Sequence, residues 1–487
     1  MARCTYGGLA NVRRSEIVLK TVESGNVKRE QSNNSDGGRA VRHDSATKAR
    51  IPRIGVEHVE HFVEHLHGPE EISYAEDELV VLCLVRDGRP YVKSFVEHHT
   101  SMGVKHLVFL DNGSTDGTVE ALKKYDNVTV LRAELPYKHN EYLMRQYLIA
   151  RFGKDRWSLC ADMDELFDYP YSDIVGLGSL LRYLNGKSYN AVAAQALDMF
   201  PEKPLLEASP ASEPDTPLKE LHRFYDVSRL TRKPIKEIPN LLLDNTLESG
   251  EVERFSGGIR EMVFGFAPSL TAFPLVFFDG SVKLMQSSRH RVDNARIADL
   301  TCVLFHYKFL EHFREQVVRN VREENHFKDS FEYKKYLEVL DENPTLQVKQ
   351  ETSKEIGGAN DLLEDRFLVV SDDYVDWANA EEEKSVFRTL AEPLLGEQGG
   401  LAQAFLESRR RERAQILKTQ RLKQEILRLE GRLRDQDRRV QRLKEDRRNL
   451  RRRIRELEGM RYSRTRGLAE TLRRIKARML SLGKSPS

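Results

Sequence analysis

The sequence predicts an α/β protein: a Rossmann-like open sheet, then a helical region, then a long C-terminal coiled coil. Three observations carry this. From Glu78 onward, short apolar runs alternate with amphipathic stretches. Between 422 and 461, apolar residues recur at a period of 3.5. The net charge of +2 divides unevenly between body and tail.

Residues 1–70 are rich in Ser, Asn, Gly, Arg and Lys ("REQSNNSDGGRAVRHDSATKAR") and lack sustained periodicity. They read as a disordered leader, too poor in apolar surface to offset the entropy of ordering. "VVLCLV" then begins a series of strands with "HLVFLDN", "VTVLRAE" and "RWSLCADMDE". Between them lie helical "PYVKSFVEHHTSMG", "GTVEALKKY" and "NEYLMRQYLIARFG". Strands joined by helices imply crossover connections and a parallel sheet covered on both faces. Such sheets bind ligands at the carboxyl ends of their strands. That rim carries Arg86, Asp111, Asn112, Asp162 and Asp164. "NAVAAQALDMF", "LVFFDG", "SVKLMQ" and "LTCVLFHYKF" are expected to complete an acceptor side, giving a catalytic domain over 77–315. Residues 316–400 read as mainly helical, with a loop near 341–365.

The segment 405–480 is different in kind. With Ile426 at heptad position a and Leu429 at d, nine of the twelve seam positions from Leu422 to Arg461 are apolar. Gln436, Arg447 and Arg461 break the seam. This is a coiled-coil pattern, and it predicts a homo-oligomer. Residues 401–487 hold 28 Lys and Arg against 11 Asp and Glu, which leaves 50 against 65 in the first 400. A basic tail on an acidic body suits self-association, an acidic partner or peripheral contact with an anionic membrane. No aromatic interleaving or base-reading motif points to nucleic acid. No apolar run reaches the roughly 18–20 residues needed to cross a bilayer. Cys4, Cys83, Cys160 and Cys302 lie far apart, and the last three sit in apolar runs. They read as free thiols in a reducing compartment, so the expectation is a cytoplasmic protein able to dock at the inner face of a membrane.

The chemistry concentrates in "SLCADMDELFDYP". On an extended segment, residues i and i+2 face the same way, so Asp162 and Asp164 can both project from a strand tip. Asp435 and Asp437 have the same spacing inside the coiled coil, where residues two apart diverge and cannot share an ion. In "FLDNGSTDGT", Asp111 and Asn112 end a strand, and a turn leads from them into a helix. The plain reading makes Ser114 or Asp116 a helix N-cap; the functional reading gives an acidic group that accepts from a nucleobase or ribose.

"RDGRPYVKSFVEHHTSMGVKHLVFLDNGSTDGT" followed by "RWSLCADMDELFDYP" resembles the family 2 type glycosyltransferases of the GT-A fold, the nucleotide-diphospho-sugar transferase architecture. The similarity is greatest to a bacterial branch with D-x-D-E before Tyr-Pro. "SGGIREMVFGF", "LTAFPLVFFDG", "SSRHR" and "ADLTCVLFHYKF" follow in the same order as that branch's later blocks. The resemblance covers roughly 77–315. It implies an inverting, metal-dependent transfer from a nucleotide-diphosphate sugar to a hydroxyl acceptor, as in cell-surface polysaccharide or glycan synthesis. It implies that Asp111 contacts the nucleoside, Asp162 the ribose or the metal shell, and Asp164 a Mn2+ or Mg2+ ion bridging the diphosphate. His306 would complete the metal shell. Arg86 is a further phosphate contact by its place at the first strand tip.

The family's usual Glu-Asp base is not evident between 190 and 310, which leaves His290 and Glu261 as candidates. A sugar nucleotidyltransferase would share the sheet but needs a Gly-rich loop after the first strand, and "LVRDGRPYVK" has a single glycine. The non-enzymatic alternative is a coiled-coil scaffold carrying a degenerate sugar-nucleotide domain.

Overall fold

The computed structural model describes residues 56–205, 218–235, 244–284, 289–310, 312–323, 327–390 and 398–482. A ten-stranded sheet runs through them. Its strands are β1 (Glu64–His67), β2 (Val80–Val85), β3 (His106–Asp111), β4 (Val128–Arg132) and β5 (Trp157–Cys160). They continue with β6 (Glu165–Asp168), β7 (Ala191–Asp198), β8 (Thr246–Leu247), β9 (Thr271–Phe277) and β10 (Arg296–His306). The order is β1-β4-β3-β2-β5-β9-β7-β10-β8, and β6 pairs with the end of β10.

The strand-helix alternation produces the expected parallel set, β4-β3-β2-β5. All six residues of β2 are buried. Val81, Cys83 and Val85 pack on one side with Phe95 and Val96 of α1 (Val92–Ser101). Val80, Leu82 and Leu84 pack on the other with Met144 and Leu148 of α3 (Tyr137–Phe152); α2 (Thr118–Leu122) lies between in sequence. Each large apolar side chain buried this way stabilises the fold by about 1.5–3 kcal/mol.

The sheet is mixed rather than wholly parallel. β9 inserts antiparallel between β5 and β7, after which β7 and β10 run parallel. Pro274 lies in β9 where pairing with β7 slips between Ala272 and Leu275. A residue without an N–H is tolerated inside a sheet at such an irregularity.

Within the span expected as a leader, 1–70, residues Glu64–His67 form β1 at the sheet edge, antiparallel to β4; residues 1–55 lie outside the described residues. The described residues of 316–400 are mainly helical, and part of them packs against the sheet's own core. Leu362, Leu363, Phe367, Tyr374 and Ala378 enter the same core as α1 and α4 (Leu177–Gly186). The last two of these belong to α8 (Asp372–Leu390). Two further helices, α6 (Phe313–Glu323) and α7 (Phe327–Glu342), pack with Phe309 and with Phe264 of α5 (Ile259–Phe264).

The tail is one helix, α9 (Gln398–Leu482), which includes Asp435 and Asp437. Its root docks through buried Leu406, Arg413 and Gln420. Arg413 donates to Glu382 of α8 at 2.6 Å, and Gln420 to the Leu363 carbonyl at 2.9 Å. Among the described residues no helix is long and apolar enough to cross a membrane. Cys83, Cys160 and Cys302 are buried free thiols; burial pushes them up, Cys160 to about 12.

Candidate functional site

A cleft of about 280 Å³ opens at the carboxyl ends of β2, β3, β5 and β10. Arg86 and Asn112 line it from two strand tips, Asp162 and Asp164 from the turn after β5, and His306 and Lys308 from the end of β10. Helix α6 closes one side with Arg319 and Glu323, and Tyr333 of α7 stands behind them.

The tips of β2 and β3 are stapled together. The Asp87 N–H donates to Ser114 Oγ at 2.8 Å, Gly88 to Thr118 Oγ1 at 2.9 Å and Arg89 to Asp116 at 3.0 Å. Asp87 accepts in return from the Thr115 N–H at 2.9 Å and from Arg319 at 3.2 Å. Asp87 and Gly117 both have positive φ, 53° and 86°, which short polar residues and glycine accept most readily. At Gly88 a Cβ would come within 2.7 Å of Val85 Cγ2 and 3.0 Å of Met163 Cγ, so only glycine lets "ADMDE" pass under this tip.

Asp162 and Asp164 diverge in role. Asp162 accepts from Arg145 at 2.6 Å on one oxygen and from Arg289 at 2.5 Å on the other. Burial works to raise its pKa, but these two guanidinium groups hold it well below the usual carboxylate range. Arg289 also clamps Glu165 at 2.6 and 2.7 Å; burial still raises the Glu165 carboxyl.

Asp164 instead meets His306, whose Nε2 lies 3.2 Å from Oδ2. The other ring nitrogen bonds Asp198 at 2.6 Å, and Arg260 donates to the far oxygen of Asp198 at 2.7 Å. The relay follows from topology. At the end of β10, His306 is paired with Asp198 of β7 on one side and Glu165 of β6 on the other. Burial opposes charge on His306, but Asp164 and Asp198 outweigh it and raise the ring to about 9. A carboxylate fixing one nitrogen of a histidine whose other nitrogen faces an acid is a familiar support for metal ligation.

Asp111 does not reach the cleft. It is fully buried, bonded to Arg132 at 3.0 Å and to the Ser114 N–H at 3.1 Å. Its neighbour Asn112 lines the cleft while donating to the Ala133 carbonyl at 2.6 Å. Arg86 is 45% exposed and 3.9 Å from Glu323. His290 donates from Nδ1 to the Thr271 carbonyl at 2.6 Å, and burial with nearby Arg289 lowers its pKa to about 4. Glu261 is exposed on α5, the helix that turns Arg260 inward. Neither candidate base lines the cleft. Sequence reasoning missed Arg145, Asp198, Arg260, Arg289, Lys308 and Arg319. Asp198 carried a signal as an acid ending an apolar run, and Arg260, Arg289 and Lys308 lie within the later blocks that resemble the family.

Among the described residues, no three metal-ligating side chains converge. Asp164 and His306 make a pair, and Asp162 has both oxygens engaged by arginine. A carboxylate and an imidazole suit Mn2+ better than the oxygen-preferring Mg2+, with phosphate oxygens and water as the remaining ligands.

No family model matches the sequence, and no curated protein matches it. Among solved structures, a nucleotidyl transferase from Methanothermobacter thermautotroptrophicus is similar at 15% identity over 26% of this chain, with a TM-score of 0.16. The chain spans 63% of that protein. UTP-bound UGPase from Acinetobacter baumannii is similar at 9% identity over 54% of this chain and 82% of its own, with a TM-score of 0.18. A UDP-glucose pyrophosphorylase complexed with UDP-glucose gives 7% identity, 50% and 79% coverage, and a TM-score of 0.18. Likenesses this distant decide neither fold nor activity.

Proposed function

We propose that the protein is a metal-dependent glycosyltransferase that moves a sugar from a nucleotide-diphosphate donor to a hydroxyl acceptor. One observation carries the reading: Asp164 and His306, backed by Asp198, face the same cleft as Lys308, Arg319 and Arg86. Carboxylate and imidazole suit a divalent cation, and the surrounding cations suit a diphosphate. Lys308 lies 5.1 Å from the Tyr333 ring centre; burial opposes its charge, but Tyr333, Tyr336 and Asp164 keep it protonated.

In the transfer, the anomeric carbon–oxygen bond to the diphosphate breaks and a bond to the acceptor oxygen forms. The acceptor proton leaves to a base. A bound Mn2+ or Mg2+ would offset charge on the departing diphosphate. Lys308 and Arg319 hold the phosphates, and α6 limits water at the cleft. Arg289 keeps the Asp162 carboxylate in place at the floor.

The test uses the full chain against a panel of nucleotide sugars, with Mn2+ and with chelator. Metal-dependent release of nucleoside diphosphate is expected, abolished in Asp164→Asn with the native circular dichroism spectrum kept. Metal binding without any nucleotide-sugar turnover or stabilisation would leave the scaffold reading standing instead. Full activity in Asp164→Asn would remove the metal from this carboxylate.

A further inference from the structure

Helix α9 meets the body by one face only. Its buried residues Leu406, Arg413 and Gln420 recur every seven positions, and half-buried Ile416 and Leu417 flank them. In the register with Ile426 at a, these are b, e and f positions. The a and d side is left outward along the docked root, where Phe405 at a is 52% exposed. Past the root, seam residues Leu422, Ile426, Leu429, Leu433 and Val440 are between 45% and 59% exposed. The body therefore leaves these five seam residues uncovered.

We propose that a second copy of the chain covers this seam, running antiparallel, with Leu422 of one protomer level with Arg461 of the partner subunit. Three features of the sequence select this alignment. It engages all twelve seam positions from 422 to 461. It sets Gln436 opposite Arg447 of the partner subunit, so two of the three polar breaks share a layer and each spares an apolar residue. It also matches charge along the flanks. At e positions, Lys423 faces Glu458, Glu430 faces Arg451 and Asp437 faces Lys444; at g, Arg439 faces Asp446. The remaining two flank pairs are Glu425 with Met460 and Arg432 with Arg453, so four of six attract and one repels.

The parallel, in-register alternative does worse. Over the same span its g-to-e pairs attract three times and repel twice, at Glu425 on Glu430 and Arg439 on Lys444. It also stacks Arg447 on Arg447 and Arg461 on Arg461 inside the seam. Flanking charge sets orientation and partner choice in such helices. At 1.5 Å per residue, the seam from 422 to 461 holds the two bodies at opposite ends of a rod about 60 Å long.

Light scattering on the full chain should give twice the 56.3 kDa of one chain. The double variant Leu433→Glu, Val440→Glu should return one chain mass with the body's melting temperature kept, since neither residue touches the body. Orientation is read by oxidative crosslinking of full-length Leu422→Cys and Arg461→Cys chains against wild-type controls. Crosslinks only in the mixture of the two variants are expected. Crosslinking of Leu422→Cys with itself would overturn the antiparallel alignment. A monomeric wild type, including one that instead pellets with phosphatidylserine vesicles, would overturn the proposal altogether.

Discussion

Nδ1 of His306 lies 2.6 Å from Oδ1 of Asp198, while its Nε2 faces Asp164 across 3.2 Å. The imidazole is thereby fixed with one nitrogen spent on support and the other aimed at the acid of the D-x-D pair.

The first prediction concerns that support. Asp198→Asn keeps the shape but loses the charge that orients the ring. Mn2+ affinity, read by calorimetry, should fall about 10–100-fold. Metal-free binding of nucleotide, which does not involve the ring, should be unchanged.

A pH dependence follows from the raised His306. In metal-free protein the folded pKa, about 9, lies above the ordinary histidine value of 6.5. The ion triad therefore contributes its full stability below pH 6.5 and loses it as pH rises through 9. Thermal melts of metal-free protein should show this decline, and His306→Gln should remove it. Metal binding needs the neutral ring, so Mn2+ affinity should rise across the same window.

Arg289 clamps two carboxylates, Asp162 and Glu165. Arg289→Met would leave both buried and short of a partner. Urea unfolding should show a loss of about 3–5 kcal/mol, the usual cost of breaking a buried pair from one side. Arg289→Lys should recover only part of it, because a lysine cannot bridge both acids in the same fork.

For the donor, Lys308→Met and Arg319→Met remove cations that face the cleft. A charge-assisted hydrogen bond contributes about 1.5–3 kcal/mol, so KM for the nucleotide sugar should rise at least about tenfold in each. Asp437→Asn, remote on α9, should leave kinetics unchanged.

Half of the sheet was legible because its signal is local. "VVLCLV" is buried on both faces, and an apolar run bounded by polar turns can hardly be anything else. β9 was harder: a strand containing Pro274 reads poorly, and its place between β5 and β7 depends on long-range pairing, from Thr271 with Gln195 to Phe277 with Trp157. The site divides in the same way. Asp162 and Asp164 announce themselves by spacing, and the register of β10 brings His306 to them. The Asp198 relay and the Arg289 clamp join residues 108 and 127 positions apart, and no local pattern marks such a meeting. Asp111, conspicuous in the sequence as an acid at a strand tip, also has partners within the fold that no local pattern marks. Its carboxylate anchors Arg132 and the Ser114 turn.

The stapling of the β2 and β3 tips has an evolutionary consequence. Asp87, Ser114, Asp116 and Thr118 spend their polar groups on one another, so selection for a foldable chain is enough to preserve "DNGSTDGT". A descendant that abandoned catalysis would still carry the stretch intact. Lys308 lies outside this staple and outside the His306 triad, and it would be among the first to drift. If the proposed transfer is right, active and inactive relatives should therefore differ at Lys308 near the end of β10 rather than within "DNGSTDGT".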